Sequence, residues 1–326
     1  MKSLLALLLT VLFPFLLSAQ SPRAYITNYD TNFISVIDLG SMKNIDGIKT
    51  GKNPHGVSVS PNGKFVAVSN EGENTVSIIN PVTNTVTHTI PVGSHPHQLS
   101  FTKDGAALYV TINAGHKVDV INTSSWKVES SIPVGRNPHI PFPSPDGKMM
   151  YVTSEGDNKI VIVDIASQKA VGEIPVFGWP RIISMSPDGE TMYLIVRWLN
   201  GAVKINTITK KISDWIPLAQ TTKFPSEGKA SHGIGLTPDS KYLFITSQVL
   251  NSVTVVDVAT NSIISEIPVG KDPNWVDFTQ DGKYAIVSNT ASNDVSVIQM
   301  ETKKVIATIK VGKSPKRLAV GNKVLN

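Results

Sequence analysis

The sequence predicts an all-β chain folded as a seven-bladed β-propeller with four-stranded blades, the ring closed by a C-terminal inner strand that joins the N-terminal blade. Three observations predict it. The first is recurrence. The position held by His55 is held by His97, His139 and Arg181 at successive steps of 42 residues, by His232 after a step of 51, and by Asn274 and Lys316 after two more steps of 42. Seven copies at this period mean a repeat architecture. The second is that each copy carries four short β-rich runs parted by turn residues, with no helical periodicity. The third is that the two ends of the repeated region complete each other.

In chain order, Met1-Lys2 is a short positive start and Leu4 to Leu17 a nearly unbroken apolar run. Leu17-Ser18-Ala19 reads as a cleavage box, so residues 1–19 are expected to be a secretory signal peptide, cut after Ala19 or Gln20. The run is shorter than the roughly 20 residues that cross a bilayer, and Pro14 interrupts it. Residues 20–326 are then one propeller domain with no membrane span, exported to the periplasm or secreted. A signal peptide does not separate those two destinations.

The second unit shows the blade. His55–Ser60 is strand a, and Pro61-Asn62-Gly63 is a tight turn in which Gly supplies positive φ. Lys64–Asn70 is strand b, with Phe65-Val-Ala-Val carrying the β-rich character. After a turn at Glu71–Asn74 comes strand c, Thr75–Asn80. Pro81–Asn84 then turns into strand d, Thr85–Ile90. The first unit, Arg23–Ile48, starts at strand b, and Lys316–Val320 is a strand a with nothing after it. Joined, they complete a blade and remove a pair of exposed sheet edges.

Composition narrows the partners. The chain has no cysteine, so an exported form depends on core burial and not on disulfides. Its net charge of +5 is a mild basic bias that admits anions and is too small to favour nucleic acid.

Tyr25-Ile-Thr-Asn28, Tyr109-Val-Thr-Ile112 and Tyr151-Val-Thr-Ser154 resemble the repeat of the YVTN β-propeller family. Ser144-Pro-Asp-Gly147 and Ser186-Pro-Asp-Gly189 match its turn. The resemblance spans residues 20–326. It implies a seven-bladed, often exported propeller, in a group that includes surface-layer proteins, lactonase-like enzymes and propellers working beside quinone or haem dehydrogenases. It fixes no activity.

In a four-stranded meander, strand a starts on the face where strand b ends. One face therefore carries His55, His97, His139, Arg181, His232, Asn274 and Lys316, with a second ring sixteen residues on: Glu71, Asn113, Glu155, Arg197, Gln248 and Thr290. Tyr29 holds that second position in the first blade, and His95 and His116 lie on the same face. Duplication of one blade would copy its histidine as a purely structural residue. Convergence on the channel mouth would instead let His55, His97, His139 and His232 bind a divalent transition metal (zinc, copper or iron). Glu71 and Glu155 would then be ligands or general bases. Arg181, Arg197 and Lys316, with Asn274 and Gln248, suit an anionic small molecule. Blade five departs most from the pattern. Trp179, Trp198 and Phe224 could wall a ligand there, and a nine-residue expansion between Pro217 and Ser231 emerges on this face.

Three functions follow. The first is an exported binding or interaction propeller whose funnel holds a small anion, a metal, or a periplasmic or extracellular protein. The second is a metal-dependent hydrolase or lyase, lactonase-like if the family range is followed. The third is an accessory to a periplasmic quinone or haem redox enzyme, although no haem-attachment or copper-thiolate motif is present.

Overall fold

The computed structural model describes residues 21–197, 199–218 and 231–321. The expected signal segment, Trp198 and most of the blade-five expansion, including Phe224, lie outside them. The described chain forms seven four-stranded antiparallel sheets. The second blade is typical, with strands a (Pro54–Val59), b (Val66–Asn70), c (Thr75–Asn80) and d (Thr85–Pro91). Closure is as the sequence predicts: Pro315–Gly321 pairs with Arg23–Asn28, Tyr25 opposite Ala319 and Ile26 opposite Leu318.

Strands b and c are buried almost throughout, because each lies between two neighbouring blades. Their apolar side chains meet across blade boundaries. Ala67, Val76 and Ile78 of blade two pack with Leu99, Leu108 and Val110 of blade three. At the closure, Ile286, Val295 and Val297 pack with Ala24, Ile26 and Leu318. Strands d form the outer wall and are largely exposed, as in Lys211–Pro217.

The innermost strand is irregular in every blade. Its pairing with strand b shifts register just where the repeated Pro-His begins, between Pro54 and Val57, Pro96 and Leu99, and Pro138 and Pro141, with equivalents in the other four blades. Such a bulge breaks the ladder and re-aims a side chain. A strand-b hydroxyl repairs the break. Thr111 Oγ1 accepts the Gln98 N–H at 3.0 Å and donates to the His139 carbonyl of the next blade at 3.0 Å. Ser69 bridges Gly56 N–H and His97 O in the same way, and Thr27 bridges Arg317 N–H and His55 O. This physical job explains the recurring Thr of the Tyr-Val-Thr motif: one hydroxyl satisfies two buried backbone groups and ties adjacent blades together.

Candidate active site at the channel mouth

Among the described residues, the turn before an inner strand is built from left-handed residues in six blades. Asn53, His95, Asn137, Trp179, Asp272 and Ser314 all have φ between 50° and 66°, a region Asn tolerates and bulky residues rarely occupy. A side chain from the preceding b–c turn caps each one. Asn74 Oδ1 accepts the His95 N–H at 3.0 Å, and Asn158 Oδ1 accepts the Trp179 N–H at 3.0 Å. His116 stands where other blades have Asn, with its Nδ1 3.4 Å from the Asn137 nitrogen. His116 is thereby accounted for as a turn cap.

This frame and the bulge beyond it aim the ring into the channel. The His55 and His97 rings lie 3.9 Å apart, and the His97 and His139 rings 4.3 Å apart. His55, His139 and His232 are buried. Burial holds all four imidazoles well below their ordinary range, with neighbouring cations adding to the effect, so they are neutral at pH 7. The hydrogen bonds set the tautomers. His97 Nδ1–H donates to the His139 carbonyl at 3.2 Å and His232 Nδ1–H to the Asn274 carbonyl at 2.8 Å. Their Nε2 atoms keep the lone pair.

The two glutamates take different partners. Glu155 Oε1 accepts Arg181 Nε–H at 2.7 Å and lies 3.8 Å from His139 Nε2. Burial raises the Glu155 carboxyl, and Arg181 only partly offsets this. Glu71 Oε1 accepts the Tyr29 hydroxyl at 3.2 Å, with His95 Nδ1 3.8 Å away at the rim. Burial raises Glu71 as well, and burial together with the Glu71 charge pushes the Tyr29 phenol up to about 12.

Sequence reasoning missed Arg317. It is 1% exposed and one of the largest fully buried side chains described. Its guanidinium lies 4.7 Å from the Trp275 ring centroid, donates to Asn274 Oδ1, and reaches to 3.5 Å from His139 Nε2 across the channel. Burial pushes its pKa down to about 9, which leaves it protonated at neutral pH. The signal was in the column after the histidine ring. Gly56, Gln98, Ile140, Ile182, Gly233 and Trp275 are uncharged, and Arg317 alone is ionic. Beyond Trp275 the channel opens into a cavity of about 330 Å³ whose lining includes Ser58, Ser100, Ser184 and Asp277.

The remaining predicted residues separate by role. Lys316 Nζ lies 5.6 Å from the Tyr29 ring centroid and Arg197 stacks 5.0 Å from the Trp179 centroid, both on the polar face. Trp179 is 40% exposed. Asn113 and Thr290 bond to backbone carbonyls of the next blade, at Pro138 and Pro315. Gln248 is half-buried. Of the expected metal set, His55 and His97 come together with Glu71, their donor atoms all within 4.8 Å of one another. His139 turns its Nε2 toward Arg317 and Glu155 instead.

Residues 113–324 match the family described as lactonase, 7-bladed beta-propeller. The chain belongs to this lactonase propeller family. Residues 8–113 match a second description, YNCE-like beta-propeller. Among solved structures, the periplasmic gluconolactonase of Pseudomonas aeruginosa superposes with a TM-score of 0.71 at 17% identity, covering 92% of this chain and 99% of that one. Hydrazine synthase of Kuenenia stuttgartiensis gives 0.75 at 22% identity, over 84% and 91%. A functionally unknown protein of Desulfotomaculum acetoxidans gives 0.76 at 14% identity, over 93% and 100%. At such identities these likenesses show the fold. A curated Mycobacterium tuberculosis protein of the PE-PGRS family matches at 63% identity over 35 residues, 11% of this lactonase-family chain and 7% of its own length.

Proposed function

We propose that the chain is an exported hydrolase of cyclic esters, acting at the channel mouth on a polyhydroxylated lactone that bears an anionic group. The observation that carries this reading is Glu155: a buried carboxylate with a raised pKa, 2.7 Å from Arg181 and 3.8 Å from His139, in a member of the lactonase propeller family. A base whose pKa approaches the working pH is suited to taking a proton from water.

The roles divide by chemistry. Glu155 removes a proton from a water, and the water oxygen bonds to the lactone carbonyl carbon. Arg181 and Arg317 supply positive charge for the carbonyl oxygen as it becomes anionic. The ring C–O bond breaks, the proton held by Glu155 passes to the departing alkoxide, and a hydroxy acid results. The lone pair on His232 Nε2 accepts a hydrogen bond from a substrate hydroxyl. Lys316 and Arg197 attract the anionic group at the rim.

The test is hydrolysis of glucono-δ-lactone and of a carboxylated and a phosphorylated sugar lactone, followed by acid release in a pH-stat. Acceleration over the uncatalysed rate that disappears in Glu155→Gln supports the reading. Saturable binding of the product anions with no acceleration on any of the three would replace it with an anion-binding propeller.

A further inference from the structure

We propose that His55, His97 and Glu71 form a site for one divalent transition-metal ion of the zinc, cobalt, nickel or copper type. The proposal does not depend on the hydrolase reading. Three donor atoms, two imidazole and one carboxylate, lie within 4.8 Å of one another at the channel mouth. They come from strands a of blades two and three and from the b–c turn of blade two, so folding alone assembles them.

The surroundings are those of a prepared ligand set. His97 gives its Nδ1–H to the His139 carbonyl, which fixes the ring and leaves Nε2 free to coordinate. A backbone carbonyl on the far nitrogen is the usual support of a metal-binding histidine. Tyr29 donates to Glu71 Oε1 and steadies the carboxylate. His55 is 7% exposed and its Nδ1 has no hydrogen-bond partner, an unsatisfied polar atom in a buried ring. Metal–ligand bonds of about 2.1 Å place donors roughly 3.4 Å apart in a tetrahedral site. Closing on an ion therefore needs about an ångström of side-chain movement, within reach of χ rotations at a channel mouth.

The ligand types select the metal. Two imidazoles and one carboxylate suit borderline ions and serve calcium or magnesium poorly, since those want oxygen ligands in greater number. Three protein ligands leave a coordination position for water or substrate. Lys316 and Arg317 oppose the ion, since both charges act on Glu71 and on the two histidines. They weaken affinity and exclude ions held by charge alone; strong coordination by nitrogen is what outweighs them.

The experiment uses the tag-free mature chain, stripped by dialysis against a chelator, and titrated with zinc by calorimetry and with cobalt by visible absorption. One equivalent is expected. His97→Ala and Glu71→Gln each weaken binding at least 100-fold, Lys316→Met tightens it about tenfold, and Glu155→Gln leaves it unchanged. Glu71→Gln nearly preserves shape and keeps the test valid if His97→Ala misfolds. Uptake well below one equivalent, or affinity indifferent to Glu71→Gln, overturns the site. Metal bound without lactone hydrolysis sinks only the hydrolase reading, and hydrolysis without metal uptake sinks only this one.

Discussion

The Arg317 guanidinium crosses the channel to within 3.5 Å of His139 Nε2, a residue 178 positions away in the chain. The contact joins the strand that closes the ring to the inner strand of blade four. It gives His139 an acceptor role at Nε2, while the His139 ring stays 4.3 Å from that of His97. Arg317 meets neutral acceptors and the Trp275 face, and no carboxylate lies within ion-pairing distance among the described residues. A buried cation so placed is a fixed positive charge aimed at whatever enters the mouth.

Arg317→Met separates this charge from the fold. Removing a poorly compensated buried cation relieves a desolvation penalty of several kcal/mol. Leaving Asn274 Oδ1 and His139 Nε2 without their donor costs about 1–3 kcal/mol each. These nearly cancel, so the urea midpoint stays close to that of the parent. Affinity for gluconate as a competing anion falls at least tenfold. An unchanged inhibition constant in a folded variant would show that Arg317 serves packing alone.

Thr153→Val tests the hydroxyl bridges. Thr153 Oγ1 accepts the Ile140 N–H at 3.2 Å and donates to the Arg181 carbonyl at 3.0 Å. Valine keeps the shape and strands both buried groups, for a loss of about 1–3 kcal/mol in urea denaturation. A value near zero would mean the bulged strand finds other partners.

The fold was legible because the repeat forces it. Pro-Asp-Gly turns, the alternating strands and the incomplete first and last units leave one way to close the ring. The polar face was legible for the same reason: meander geometry alone puts His55 and Glu71 on one side. Pairing within the face was not. Nothing in the spacing says that Glu155 chooses Arg181, that Glu71 chooses Tyr29, or that His139 turns to Arg317. Those choices depend on distances across the ring between strands far apart in sequence. Arg317 was overlooked because Lys316–Val320 was read only as the strand that closes the ring, with no role given to the residue after Lys316. Asp277 was overlooked likewise, the sole ionisable residue in a column otherwise made of Ser58, Ser100, Phe142, Ser184, Gly235 and Ala319.

Asp277 gives the stability of the fold a pH signature. Its carboxylate accepts the Val320 and Phe278 N–H groups at 2.8 Å each, yet burial in the lower channel raises its pKa from 3.8 to about 6. Between those values the folded chain holds a proton that the unfolded chain has released. Stability from this group is therefore present below about pH 4 and is lost as pH rises to about 6. Comparing urea midpoints of the parent and Asp277→Asn at pH 4.5 and pH 7.5 isolates the effect. The parent loses more stability across the interval than the variant; equal losses would place the Asp277 pKa near its ordinary value.

Glu155 carries the sharpest prediction for activity. In the proposed reaction its base form is the active one, so lactone hydrolysis is expected to fall as pH drops through its pKa, and burial places that limb above the ordinary carboxylate value of 4.5. Glu155→Gln lowers kcat by roughly 10²–10⁴, the usual worth of a positioned base. Arg181 lowers the Glu155 pKa through its charge and its hydrogen bond. Arg181→Met therefore moves the acid limb to higher pH, in addition to any loss in rate. A neutral methionine that slowed hydrolysis without moving the limb would assign Arg181 to substrate binding alone. An acid limb that persists unchanged in the residual activity of Glu155→Gln would remove Glu155 from the role of base. The next group to test would then be Glu71, the half-buried carboxylate of the mouth, whose hydroxyl donor Tyr29 would give the same kind of shift when changed to Phe.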